Sequence, residues 1–200
     1  MFRVQKLFLK QSSNPKTILE VSDLNVSKEE GIEGSKKCLN FRQVLILPSS
    51  TFQEFNINAG ELNENIVSEG FDVHTLTSGT VLEINEVKIR LTYHCEPCGF
   101  VNKWTSIKNI KFKRGYLGSF LNSGNIIVGN EIKILETKFE PIPYKIEDRI
   151  IWFLEKQNKT VTTQQLLEGV GLSNGFRRAI PAYLKRIDEK YKKMVEFKNG

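Results

Sequence analysis

Histidine, cysteine and long apolar runs are scarce in this chain of 200 residues. Two histidines and three cysteines leave few ways to build a zinc site with several protein ligands. The pair in "CEPC", Cys95 and Cys98, has no second pair to complete it. Cys38 stands alone, and His74 and His94 lack the spacing that zinc motifs show. No segment nears the roughly 18 consecutive apolar residues that a membrane-crossing helix needs, so no membrane partner is expected. The opening "MFRVQKLFLKQSSNP" alternates apolar and polar residues and carries no small-residue cleavage site. It reads as a first β-strand rather than a signal peptide. The expected compartment is therefore the cytoplasm, where thiols stay reduced.

Acidic residues are the minority, 23 against 29 Lys and Arg, for a net charge of +6. The excess is uneven. Residues 141–200 hold 12 Lys and Arg against 7 Asp and Glu, whereas the first 140 hold 17 against 16. A near-neutral body with a basic tail predicts two units, 1–138 and 139–200, the second facing something acidic.

The larger unit reads as mainly β. "VLILP" (Val44–Pro48), "TVLEINEVKIRLTYH" (Thr80–His94) and "IIVGNEIKILETKF" (Ile126–Phe139) are rich in Ile, Val, Leu and Thr, and alternation is clear in "VLEIN" and "VKIRLTY". Asn85–Glu86 predicts a hairpin turn. Glycines recur between these runs, and many short strands with Gly and Asn turns argue for a β-barrel or sandwich. "STFQEFN" and "NKWTSIKN" are short enough to be single-turn helices or loops.

After "FEPIPYK", a stiff linker, helical periodicity begins. "KIEDRIIWFLEKQ" sets Ile146, Ile150, Ile151, Phe153 and Leu154 largely on one stripe. "TVTTQQLLEGVGLS" offers a capping threonine, a short helix and a glycine-rich turn. "SNGFRRAIPAYLKRIDEKYKKM" predicts a third helix, capped by Ser173 or Asn174, with Pro181 either kinking it or lying in its first turn. Three helices with a short turn between the last two make a helix-turn-helix shape.

By residue type alone, "YHCEPCGF" stays open among half a zinc site, a redox pair, a structural turn and the seat of a soft-metal ligand. The series "GIEGSKK", "RQVLIL", "AGELNENIVSEGFDVHTLTSGTVLEI", "CEPC" and "RGYLGSFLNSGNIIVGNEI", from about Gly31 to Lys138, resembles the MOSC family, named after the C-terminal domain of molybdenum-cofactor sulfurases. The resemblance implies a β-barrel fold and a molybdenum–pterin cofactor held through a cysteine that falls on Cys98, as metal ligand and catalytic residue. It also implies reduction of N-hydroxylated compounds or sulfur carriage, served by an electron-transfer or sulfur-donor protein. A thiolate suits a high-valent thiophilic metal, and cationic neighbours favour that state. The cofactor's phosphate calls for cations and amides. Arg42 in "FRQV" and Asn65 in "ENI" lie where the family keeps a base and an amide, and Lys113, Arg114 and Gly115 form a second basic turn. Glu64 fits a structural role, accepting backbone N–H groups within its loop. The chain departs from the family's Gly-Asp-x-His pattern. Ser35 stands at the acidic position and no histidine is near, leaving Lys36 and Lys37 as phosphate contacts but not as acid–base groups near pH 7.

The tail, about Pro141 to Ile187, resembles the winged-helix half of alkylguanine-DNA alkyltransferases and alkyltransferase-like proteins, with Arg178 and Ala179 matching the arginine–alanine pair of their recognition helix. The alkyl-accepting Pro-Cys-His-Arg motif is absent and no cysteine follows Cys98, which excludes repair by alkyl transfer to cysteine. Arg177, Arg178, Lys185 and Arg186 are the residues expected on phosphates if this tail contacts DNA. A nucleic-acid-binding protein with the barrel as scaffold or sensor is thus the alternative to a cofactor-dependent enzyme or carrier.

Overall fold

Apolar residues at every second position and left-handed Asn and Gly turns fold the first part of the chain into antiparallel strands. The computed structural model describes residues 1–197 other than Ser12, Pro15, Lys16, Lys36 and Lys37. Two compact units result: Met1–Cys38 with Arg42–Pro141, and Leu39–Phe41 with Ile142–Gly200.

The first unit contains β1 (Arg3–Lys10), β2 (Ile18–Val21), β3 (Asp23–Ser27), β4 (Gly31–Ile32), β5 (Val44–Pro48), α1 (Ser49–Phe55), β6 (Ile66–Glu69), β7 (Thr80–Ile84), β8 (Val87–His94), β9 (Tyr116–Phe120), β10 (Gly124–Ile127) and β11 (Ile132–Lys138). Eight strands form one sheet in the order β11-β7-β8-β9-β5-β6-β1-β2, and β10-β3-β4 form a second. The β7–β8 hairpin closes on Ile84↔Val87, with Asn85 at φ 53, a conformation that asparagine adopts more readily than most residues. Along β8, Val87, Ile89 and Leu91 are buried while Lys88 and Arg90 are not, the alternation of a half-buried strand. The stretch at "STFQEFN" belongs to the seven-residue helix α1, Ser49–Phe55, capped by left-handed Asn56, rather than to a single turn.

The expected barrel is not closed. β1 pairs with β6 along Arg3–Leu7 and with β2 along Leu7–Lys10. Only its first residues are left to face the far edge of the sheet. There Arg3 forms an isolated bridge with Glu131, and Val4 N donates to Asn130 O (2.9 Å). The β2 pairing takes the edge that a closing strand needs, so the sheet curls without a continuous ladder around it.

The second unit contains α2 (Ile146–Leu154), β12 (Val161–Thr162), α3 (Thr163–Gly169), α4 (Ile180–Leu184), α5 (Glu189–Lys192) and β13 (Val195–Glu196). Thr162 caps α3 in a capping box with Gln165, as its position predicts. The expected long third helix is broken into a 3₁₀ turn (Asn174–Ala179), α4 and α5. Pro181 lies in the first turn of α4, where its missing N–H costs nothing, and Asp188 starts α5 by accepting from Lys190 N. β12 and β13 pair in parallel over two residues; the antiparallel wing of a winged helix is not among the described elements. Arg149, 0% exposed, donates to Val170 O (3.1 Å) and Tyr144 O (2.9 Å), tying α2 to the end of α3.

Candidate functional site

The end of β8, the residues before β9 and the turn before β5 bring the two cysteines, Arg114 and Arg42 together. Cys95 directly follows β8, and its N–H donates to Gly115 O (2.8 Å), so the β8–β9 pairing runs one step beyond His94↔Tyr116. Cys95 is buried and Cys98 exposed. Cys98 precedes a 3₁₀ turn, Gly99–Lys103, and its carbonyl accepts from Val101 N (3.0 Å). Burial pushes the Cys95 thiol up. Arg114 and Arg42 pull it back down, while Glu96 and Cys98 add to the rise. All four groups therefore act electrostatically on one sulfur atom.

Arg42 Nη1 is 2.9 Å from Glu96 Oε2, and its guanidinium lies 6.0 Å from the Tyr93 ring centroid. Burial opposes its charge, but Tyr93, Glu96 and Cys95 more than offset that, and its pKa is raised. Arg114 is different. Although only 6% exposed, its Nη1 has no hydrogen-bond partner among the described residues, and no carboxylate there closes an ion pair on it. A buried charge left so is costly unless an anion completes it. Glu64, 1% exposed, accepts from Gly60 N while its Oε2 has no described partner. Burial raises its carboxyl, against the pull of the Gly60, Glu64 and Leu62 amides and of Arg114. The structural role expected of Glu64 in its loop holds.

The other expected contacts fare unevenly. Asn65 lies beside the loop, but its carboxamide is spent on backbone: Oδ1 accepts from Leu45 N (3.0 Å) and Nδ2 donates to Phe8 O (3.3 Å). It stitches β5 to β1 and leaves little for a ligand. Lys113 turns outward to an ion pair with Glu54. Lys36 lies outside the described residues. In the helical unit, Arg177 donates to Gln164 Oε1 (3.1 Å) and Arg186 pairs with Glu147 (2.9 Å). All four residues expected on nucleic acid, Arg177, Arg178, Lys185 and Arg186, are exposed.

A histidine cluster escaped the sequence reading, although His94 and Tyr116 share a register across β8 and β9. His94 stacks 6.0 Å from His74 and 4.3 Å from Tyr116, and Asp72 Oδ1 accepts from His74 Nδ1 (2.9 Å). Burial pushes His94 down to about 4, helped by His74, and lowers His74 as well. Both rings are favoured neutral in the fold. Their contribution is complete above the ordinary value of 6.5 and is lost as pH falls from there toward 4, because the unfolded chain binds the protons first. Urea midpoints of a His94→Leu variant should therefore fall less steeply than the parent's over that window. An unchanged slope would contradict the burial argument.

No helix among the described residues is long and apolar enough to cross a membrane. The fold is shared by solved structures of low sequence identity. YuaD from Bacillus subtilis is 13% identical with a TM-score of 0.57, over 70% of this chain and 98% of that one. YiiM from Geobacillus stearothermophilus is 16% identical with a TM-score of 0.56, over 92% and 100%. YiiM from Escherichia coli is 16% identical with a TM-score of 0.54, over 94% of each chain. No curated protein matches the sequence significantly. A family model described as the MOSC domain matches residues 39–133, a span that contains Arg42, Glu64, Cys95, Cys98 and Arg114.

Proposed function

We propose that the first unit holds a molybdenum–pterin cofactor, with the Cys98 thiolate as the metal's protein ligand and Arg114 as the main contact to its phosphate. The MOSC match is consistent with a molybdenum-cofactor-related or sulfur-related role. The observation that carries the finer reading is the Arg114 guanidinium, buried beside Cys95 with Nη1 lacking a described partner. A phosphate would complete it with charge-assisted hydrogen bonds. Cys98 is exposed and so open to a ligand, whereas Cys95 is buried. The donor set fits the group: a soft thiolate for the metal and hard cations for the phosphate.

When bound, that cofactor supplies two-electron redox chemistry, and the activity proposed is reduction of an N-hydroxylated compound. The chain's own residues bind and orient. Arg42, fixed by Glu96, keeps positive charge near the thiols, and Asn65 holds β5 in place beneath the loop that carries Glu64. Without the family's histidine, proton holding near Arg114 falls to the Glu64 carboxyl and the Cys95 thiol, both raised by burial. The test is the molybdenum and pterin content of protein purified from a host that makes the cofactor. In a Cys98→Ala variant that stays folded, molybdenum should fall by more than about tenfold, the scale of losing a metal contact. Equal molybdenum in the two proteins would end the proposal.

A further inference from the structure

Both of the chain's histidines meet against the turn 111–113 that leads into Arg114, and the proposed chemistry uses neither. His94, half-buried at the end of β8, touches three rings: His74 stacked at 6.0 Å, Phe112 edge-on at 5.3 Å and Tyr116 tilted at 4.3 Å. An imidazole N–H of His94 also donates to the Phe112 carbonyl. Phe112 is 43% exposed and takes φ 66, a left-handed conformation rare for a bulky residue. Such a conformation persists only where its surroundings hold it, and His94 grips both the ring and the main chain of this residue.

Charge around the two rings balances only while both are neutral. Asp72 Oδ1 accepts from His74 Nδ1 (2.9 Å). Lys113 repels a charged His74, and Glu54, which attracts it, is already paired with Lys113. Lys111 adds a further cation, 5.1 Å from the Phe112 ring centroid. Tyr116, pushed up to about 12 by burial, stays neutral. A proton on His74 would turn Nε2, which is buried and has no described partner, into a donor with nothing to accept from it. A proton on His94 would set a second like charge 6.0 Å away. Four cations would then face the carboxylates of Asp72 and Glu54, and separating the rings relieves them.

We propose that the stacked histidines are an acid-operated latch on turn 111–113, closed while both rings are neutral, released when they take up protons, and displacing Arg114 on release. Release is local, because Val101 and Ile110, both 0% exposed, stay anchored and β8 remains paired with β9. The consequence for ligand rests on the reading of Arg114 as an anion contact: an anion held there at neutral pH is let go in acid. His94 lies at about 4 in the fold against an ordinary 6.5, and His74 is lowered as well. The released rings therefore bind protons first, and release gains ground as pH falls below the ordinary value.

Amide hydrogen exchange of the full chain, corrected for the intrinsic pH dependence of exchange, reads the latch at Lys113 N, which donates to Ile110 O (2.9 Å). Opening there should grow by more than about tenfold from about pH 7.5 to about pH 5. It should also stay well above the opening of the core amides of β8, which marks global unfolding. A His74→Phe, His94→Phe variant keeps two rings and removes their protons, so the growth should vanish. The parent alone supplies a second measurement: its two histidines can be followed by NMR and should charge together with the opening. Binding of inorganic sulfate, whose charge is constant over this window, should weaken across the same range in the parent and not in the double variant. Sulfate binding absent at every pH, with the acid-dependent opening intact, would remove the reading of Arg114 and leave the latch standing. Opening that is flat with pH or no more frequent than global unfolding, growth that persists in the double variant, histidines that charge while the turn stays closed, or sulfate held equally tightly on both sides of the opening would overturn the proposal.

Discussion

Ligand-free protein carrying Arg114→Met should be more stable than the parent and should no longer respond to phosphate. In the parent, a guanidinium only 6% exposed keeps Nη1 without a described partner. A buried polar group left unsatisfied costs about 1–3 kcal/mol, and a methionine of similar length fills the same space with contacts that need no partner. For a chain of this size each kcal/mol moves the melting temperature by roughly 2–4 °C. Removing the cation also removes one of the pulls that oppose the rise of the buried Glu64 carboxyl. The second half of the result concerns ligand. Inorganic phosphate at a hundred times its dissociation constant adds about 2.7 kcal/mol to a protein that binds it, and that increment should vanish in Arg114→Met. A variant that melts lower than the parent and keeps the phosphate response would mean that Arg114 is a structural residue, and the anion site would be withdrawn. Stability held back at a binding position is a common consequence of building a site for something not yet present.

Gly115→Ala should be the most destabilising single substitution near the site. Gly115 sits at φ +98, and a Cβ there would lie 2.3 Å from Leu47 Cδ1, 2.8 Å from Leu45 Cδ1 and 2.9 Å from Ile46 O. Leu47 and Ile46 are both 0% exposed, so neither can swing into solvent to make room. Overpacking of this kind costs about 1–3 kcal/mol, and the left-handed backbone adds roughly 1–2 for a residue with a Cβ. The expected loss is on the order of 4 kcal/mol, or roughly 10 °C in melting temperature. The site should go with it, because Gly115 O accepts from Cys95 N and Arg114 is the preceding residue. Thermal unfolding decides this directly. A fall of no more than a degree or two would show that the β5–β9 contact yields far more easily than its burial implies.

These two neighbours show where local pattern stops being informative. Lys113, Arg114 and Gly115 read alike in the sequence, as a basic turn, yet the fold sends Lys113 outward to Glu54 and Arg114 inward without a described partner for Nη1. Nothing in their spacing distinguishes them, because the difference is one of burial: Arg114 is buried near Cys95 and Glu64 while Lys113 stays exposed. Asn65 shows the same limit. The expectation of a ligand contact there came from its place in the family pattern, and its contacts to Leu45 N and Phe8 O, 20 and 57 positions away, exist only in the fold. The helical tail was legible as far as local signals reach, including the Thr162 cap and Pro181 in a first turn. The break before Asp188 went unread, since its capping signal lay inside a stretch whose composition still favoured helix.

By itself the sequence determined the principal strands, the β7–β8 hairpin and the change to helix after Pro141, because each depends on side-chain period or turn chemistry within a few residues. Whether the sheet closed, which cation was buried, and which amide was already engaged were decided only in three dimensions. Those outcomes depend on strand edges and burial, which arise when residues far apart in the chain compete for the same space and the same hydrogen bonds.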